Sequence, residues 1–131
     1  WIVRQLPDIV AKRIENAAYF DAGFRTIPQI RVPARRAETK NVYLLYVLFA
    51  RERDALLKHC IDRGIEAKVH YPIPLHLQDA LKYLGYKVGD FPIAERHCRE
   101  VISFPVDQHL SREEQDCVIE TVREFYAGKR Q

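Results

Sequence analysis

Methionine is absent from the 131 residues, tryptophan occurs once, and there are only five glycines. Those glycines stand singly at Gly23, Gly64, Gly85, Gly89 and Gly128, so no glycine-rich loop is present to cradle a phosphate. No Gly-x-Ser-x-Gly elbow is found either, which removes one familiar frame for a serine nucleophile. The three cysteines, Cys60, Cys98 and Cys117, cannot all pair with one another. Each falls in a predicted helix beside apolar neighbours. The expectation is three buried thiols in a reducing compartment, and hence a cytoplasmic protein. Charge of one sign is also scarce, because 21 basic and 18 acidic side chains leave only +3. That balance argues against a nucleic-acid partner, whose recognition draws on clustered positive charge. No apolar run approaches the ~18 residues of a membrane span, so no membrane partner is expected.

What is present is the composition of a globular domain, with 47% hydrophobic and 30% charged residues. A chain of this size exposes roughly 22,000 Å² unfolded and roughly 7,000 Å² folded, enough burial for one core without disulfide or metal staples. Leu6, Val10, Ile14, Ala17 and Ala18 recur at helical spacing, with Lys12, Arg13, Glu15 and Asn16 on the other face. Pro7 suits a first turn and Gly23 a stop, which predicts an amphipathic helix over 7–22. Phe20 and Phe24 add more apolar surface than such a helix needs. Together with a start at Trp1-Ile2-Val3, this leads to the expectation of a piece of a longer protein, its surplus surface packed on something outside it.

Ile30–Val32, flanked by Pro28 and Pro33, reads as an edge strand. Residues 34–40 read as a solvated loop. Val42–Phe49 is a continuous apolar run, the pattern of a strand covered on both faces. A helix over 52–63 directs Leu56, Leu57, Cys60 and Ile61 inward and ends at Gly64. A strand over 66–70 runs into Tyr71-Pro72-Ile73-Pro74, whose prolines stiffen an extended loop. A short helix over 75–84 follows, then one from 90–92 to about 100, and a short strand over 101–105. Ser111 and Glu114 form a capping box ahead of a helix that buries Val118, Val122, Phe125 and Tyr126. The order α-β-β-α-β-α-α-β-α describes one small two-layer α/β domain. Its sheet of three or four short strands is mainly antiparallel or mixed, and an amphipathic N-terminal helix precedes it.

Chemistry-bearing groups concentrate between Lys68 and Gln78, where an ammonium, the imidazoles of His70 and His76, the Tyr71 phenol and a carboxamide follow a strand end. They can bind hydroxyls, a carbonyl oxygen or a phosphate. The plainer alternative packs Tyr71 and Leu75 on the domain and leaves both histidines at the surface. Zinc is disfavoured, because His70 and His76 are separated by two prolines and no nearby Cys or carboxylate completes a ligand set. In the pairs His59-Cys60 and His97-Cys98, adjacent helical residues diverge by about 100°, so each gives a buried Cys and an exposed His. Lys68 as a Schiff-base amine would need desolvation or a cationic neighbour, and the sequence supplies neither.

The stretch Gly64-Ile65-Glu66-Ala67-Lys68-Val69-His70-Tyr71-Pro72-Ile73-Pro74-Leu75-His76-Leu77-Gln78 resembles the C-terminal part of pyridoxal-phosphate-dependent sugar aminotransferases of the DegT/DnrJ/StrS type. The resemblance continues through Leu84-Gly85-Tyr86, Gly89-Asp90-Phe91-Pro92, Ala94-Glu95 and Ser103-Phe104-Pro105, and upstream through Asn41-Val42-Tyr43 and Leu45-Tyr46-Val47. It implies an aspartate-aminotransferase fold, with residues 1–131 as the small C-terminal domain, 7–22 as a connecting helix and 28–128 as the α/β body. It further implies a nucleotide-linked keto-sugar substrate, an amino-acid donor such as glutamate, and a homodimer when full length. The cofactor lysine and the phosphate cup belong to the large domain of the same chain. No cofactor binding or catalytic residue is therefore expected within 1–131, and the piece is expected to be inactive alone. By the same resemblance, His70, Tyr71 and His76, with Lys68 and Gln78, would close over the substrate. Leu44 departs from the pattern, since many relatives carry a histidine there. A free-standing binding or regulatory module of the same fold is the alternative, and a parent without the catalytic lysine is a third reading.

Overall fold

A computed structural model describes residues 2–128. Helix α1 spans Ile2–Phe24, followed by strand β1 at Ile30–Arg31, strand β2 at Tyr46–Ala50 and helix α2 at Arg53–Ile61. After two 3-10 segments, Leu75–Leu77 and Asp79–Leu84, come helix α3 at Pro92–Glu100, strand β3 at Val101–Phe104 and helix α4 at Arg112–Ala127. The three strands form one antiparallel sheet in the order β1-β2-β3, with Ile30 opposite Ala50 and Tyr46 opposite Phe104.

The core gathers around one face of β2. Tyr46, Leu48 and Ala50 point inward, and Val47 and Phe49 point to the half-covered side. Phe20 and Phe24 of α1 stack there, with ring centroids 5.0 Å and 5.9 Å from Tyr46, and Phe24 lies 5.5 Å from Phe104. The phenylalanines that looked surplus in the sequence are thus fully buried in this chain's own core. α4 closes the same face with Val118, Val122, Phe125 and Tyr126. Its start is fixed by the expected capping box: Glu114 N–H donates to Ser111 Oγ at 3.1 Å, and Ser111 N–H donates to Glu114 Oε2 at 2.8 Å.

Several local expectations need correction. α1 begins five residues before Pro7, so the proline lies in its second turn without an N–H for the Val3 carbonyl and does not set the boundary. Asn16, placed on the polar face by spacing, is fully buried; its side-chain Nδ2 donates to the Asp107 carbonyl at 2.8 Å, and its backbone carbonyl accepts from Gln115 Nε2 at 3.0 Å. Ile61 is 55% exposed. The run 42–49 joins the sheet only from Tyr46 onward. Tyr43 sits at φ 48, a left-handed turn, and leaves Val42, Leu44 and Leu45 exposed. The strand at 66–70 reduces to one antiparallel bridge between Lys68 and Ser103, and the helix at 75–84 is instead the two 3-10 segments. Of the three cysteines only Cys60 is buried; Cys98 is half-buried and Cys117 exposed on the outer side of α4.

Candidate functional site

The bridge to β3 aims the residues that follow it. Lys68 and Ser103 exchange backbone hydrogen bonds of 3.0 and 2.8 Å, which brings His70 over the end of β3. His70 Nδ1 lies 3.1 Å from Ser103 Oγ. Ser103 is almost wholly buried, with both backbone groups tied to Lys68, so the pair holds the orientation of the ring and does not present a free hydroxyl. His70, Lys68 and Ser103 line a recess of about 210 Å³ with Leu44, Leu45 and Asp107. Lys68 is solvent-exposed and pairs with Glu66, an exchange that exposed ion pairs make with little net energy. Leu44 stands 77% exposed and lines the same recess.

The chain then turns sharply. Tyr71 adopts φ 59, a left-handed conformation disfavoured for a residue before proline, and its ring is 78% exposed. The prolines carry the loop across to α3, where His76 is buried. His76 Nε2 lies 3.2 Å from Glu95 Oε1, and the same oxygen accepts from the N–H groups of Gly89 at 2.8 Å and Phe91 at 3.4 Å. The two backbone donors, with His76, hold the Glu95 carboxyl below the ordinary carboxylate range despite its burial. The His76 ring packs 4.8 Å from Phe91 and edge-on to Tyr86 at 6.5 Å. Tyr71, Ile73, Leu75, His76, Phe91 and His97 border an open, mainly apolar groove of about 730 Å³.

The five residues singled out by sequence therefore fall on two surfaces. His70 and Lys68 line the small recess, and Tyr71 and His76 border the apolar groove. Gln78 is half-buried at the junction of the 3-10 segments, where its N–H donates to the Leu75 carbonyl at 3.1 Å. The plainer packing alternative is reversed: Tyr71 and Leu75 are exposed, His76 is buried and His70 half-buried. Sequence reasoning assigned no part to Ser103, Glu95 or Phe91. The first orients His70, and the other two hold His76. Only their position within the matching motifs could have flagged them.

No lysine among the described residues is buried, and Lys68 faces water beside a carboxylate. These residues do not fit a Schiff-base pocket, which requires a desolvated or electrostatically activated amine. What they offer is hydrogen bonding and apolar contact along a stiff loop.

Residues 3–123 match the DegT/DnrJ/EryC1/StrS aminotransferase family. The erythromycin biosynthesis sensory transduction protein EryC1 of Saccharopolyspora erythraea is 37% identical to this chain over 92% of it and 33% of its own length. The dTDP-3-amino-3,4,6-trideoxy-alpha-D-glucose transaminase of Streptomyces venezuelae is 35% identical over 87% of the chain and 30% of its own. Among solved structures, S. venezuelae DesV in complex with a ketimine intermediate superposes with a TM-score of 0.90 at 32% identity, covering 98% of this chain and 34% of that one. The chain spans about a third of the length of the curated relatives it matches. It belongs to the DegT/DnrJ/EryC1/StrS aminotransferase family.

Proposed function

We propose that this chain is the substrate-facing C-terminal domain of an aminotransferase that turns a nucleotide-linked keto-sugar into an amino sugar, with an amino acid such as glutamate becoming the oxo acid. The observation that carries the reading is the superposition on DesV over nearly the whole chain but a third of that enzyme. Bound pyridoxal phosphate would supply the electrophilic carbon that carries the amino group between the two substrates. Among the described residues no lysine is buried to serve as its Schiff-base amine, and we assign the cofactor to a large domain of the complete protein, which would work as a homodimer. In that arrangement His70, Tyr71, His76 and Lys68 bind and orient the sugar and its diphosphate, and the apolar groove excludes water. Gln78, at the end of the same loop, takes the same hydrogen-bonding role.

Two relatives favour a second reading. EryC1 is named a sensory transduction protein, and a Geobacillus stearothermophilus protein 41% identical over 86 residues is named a pleiotropic regulatory protein. The free-standing binding or regulatory module is the corresponding alternative.

The deciding experiment incubates the complete polypeptide carrying this sequence with pyridoxal phosphate, glutamate and a dTDP-linked keto-sugar, and follows the products by mass spectrometry. The expected result is 2-oxoglutarate and amino sugar in equal amounts, and none from residues 1–131 alone. Binding of the dTDP-sugar without turnover by the complete polypeptide would overturn the enzyme reading in favour of the module.

A further inference from the structure

Glu95 sits 95 residues into the chain on the first turn of α3, almost wholly buried, yet three donors converge on one of its oxygens. Two are backbone N–H groups, which can only donate, and they hold the carboxylate ionised. An ionised carboxylate only accepts. The third partner, His76 Nε2, must then carry a hydrogen. In a neutral imidazole the other nitrogen is consequently a lone-pair acceptor. His76 Nδ1 has no hydrogen-bond partner among the described residues and is not among the buried unpaired atoms, and the ring borders the groove beside Tyr71 and Leu75. Phe91 packs against the ring and Tyr86 stands at its edge.

We propose that Glu95 is a positioning residue that fixes His76 as its Nε2–H tautomer and so presents Nδ1 to the groove as an acceptor for a ligand hydroxyl. The inference deepens the proposed function and rests on it for the nature of the ligand. It narrows what His76 recognises: a hydroxyl of the sugar, which can donate, and not a diphosphate oxygen, which cannot donate when ionised. It also gives the segment 85–91 a purpose. Gly89 and Phe91 spend their backbone donors on Glu95, so the arm carrying the two aromatic rings and the loop carrying His76 are held by one carboxylate.

The test has two arms. In the first, long-range ¹⁵N–¹H spectra of the histidine-labelled chain, assigned with His76→Gln, read the tautomer directly. A pure Nε2–H pattern for His76 is expected, and in Glu95→Gln, which keeps an accepting oxygen for Gly89 and Phe91 but can also donate to the ring, a mixture of both tautomers. An Nδ1–H pattern, or an imidazolium protonated at both nitrogens, in the unmodified chain at neutral pH overturns the proposal even where the variant does not fold. In the second arm, Glu95→Gln in the complete polypeptide is expected to raise KM for the keto-sugar about tenfold, the size of one hydrogen bond to a ligand, with KM for the amino-acid donor unchanged. Equal effects on both substrates, or on neither, overturn the specificity role. Absence of turnover in the unmodified polypeptide would instead count against the proposed function, and the tautomer arm would still decide the part played by Glu95.

Discussion

Asp21 is buried on α1 with both carboxylate oxygens engaged. Arg35 clamps it from the irregular stretch 32–45, Nε to Oδ2 at 3.0 Å and Nη2 to Oδ1 at 2.9 Å, and the Tyr46 hydroxyl donates to Oδ1 at 2.8 Å. The same guanidinium lies 5.3 Å over the Tyr43 ring, and burial pushes the Tyr46 hydroxyl well above its ordinary range. One carboxylate thus ties a segment without regular structure to a helix and to the central strand. Asp21→Ala strands a buried hydroxyl and a largely covered guanidinium, at a cost of about 3 kcal/mol. In urea and thermal unfolding this is expected as a melting temperature lower by about 10 °C, whereas Tyr46→Phe, which leaves the bidentate pair intact, should cost about 1 kcal/mol. Equal losses for the two variants would show that the clamp contributes nothing. None of this was legible in the sequence, where 34–40 is a polar loop and Asp21 an unremarkable acid near a helix end. A partner 14 residues away leaves no periodic trace.

At the scale of elements, Gly23 is not the stop that its position suggests, for α1 continues through it to Phe24. Its smallness serves the crossing of α1 and α4: a Cβ there would stand 2.5 Å from Ile119 Cδ1 and 3.0 Å from Cγ1. Gly23→Ala gains up to about 1 kcal/mol of helix propensity and meets an overpacking cost of about 1–3 kcal/mol. The single variant is therefore expected to lose stability. Ile119→Val removes the methyl in the way at a cost of about 1 kcal/mol, so the double variant should be more stable than the sum of the singles predicts. Additive effects in that double-mutant cycle, read by urea unfolding, would rule the contact out. The elements that the sequence rendered well are those with signals of their own: α4 with its capping box and long apolar stripe, and α3 behind Pro92. Val42–Phe49 misled because continuous apolar character records composition and not register. Only Tyr43's left-handed turn, which no local pattern announces, decides where pairing with β3 starts.

For the molecule as a whole, the chemistry between residues 68 and 78 was legible as a cluster of groups, but its division between a recess and a groove was not. That division follows from Tyr71's turn and from a carboxylate 19 residues beyond His76. The division of labour within the core was hidden in the same way. The helix expected over 7–22 as the connection to a body at 28–128 supplies Ala17, Phe20 and Phe24 to that body's centre, all fully buried. Meanwhile the accessible surface is 8939 Å², where a compact monomer of this size exposes roughly 7,000 Å². The excess is consistent with the outward excursion 70–91, where Tyr71, Leu75, Tyr83 and Val88 stand mostly exposed. Core and excursion thus have opposite requirements: the first needs α1, the second contributes little to holding the fold. Losing a buried phenylalanine costs about 3–5 kcal/mol and the whole stability of a domain is about 5–15 kcal/mol. Removing α1 takes two such rings together with the anchor of Arg35. A chain beginning at Pro28 is therefore expected to lack fixed tertiary structure, with collapsed near-ultraviolet dichroism and poorly dispersed amide resonances. A variant of the full chain with Tyr71, Leu75 and Tyr83 changed to Ser should unfold at nearly the urea midpoint of the unmodified chain. A cooperative unfolding transition in the chain beginning at Pro28 would show instead that the sheet and α4 complete a core without the helix.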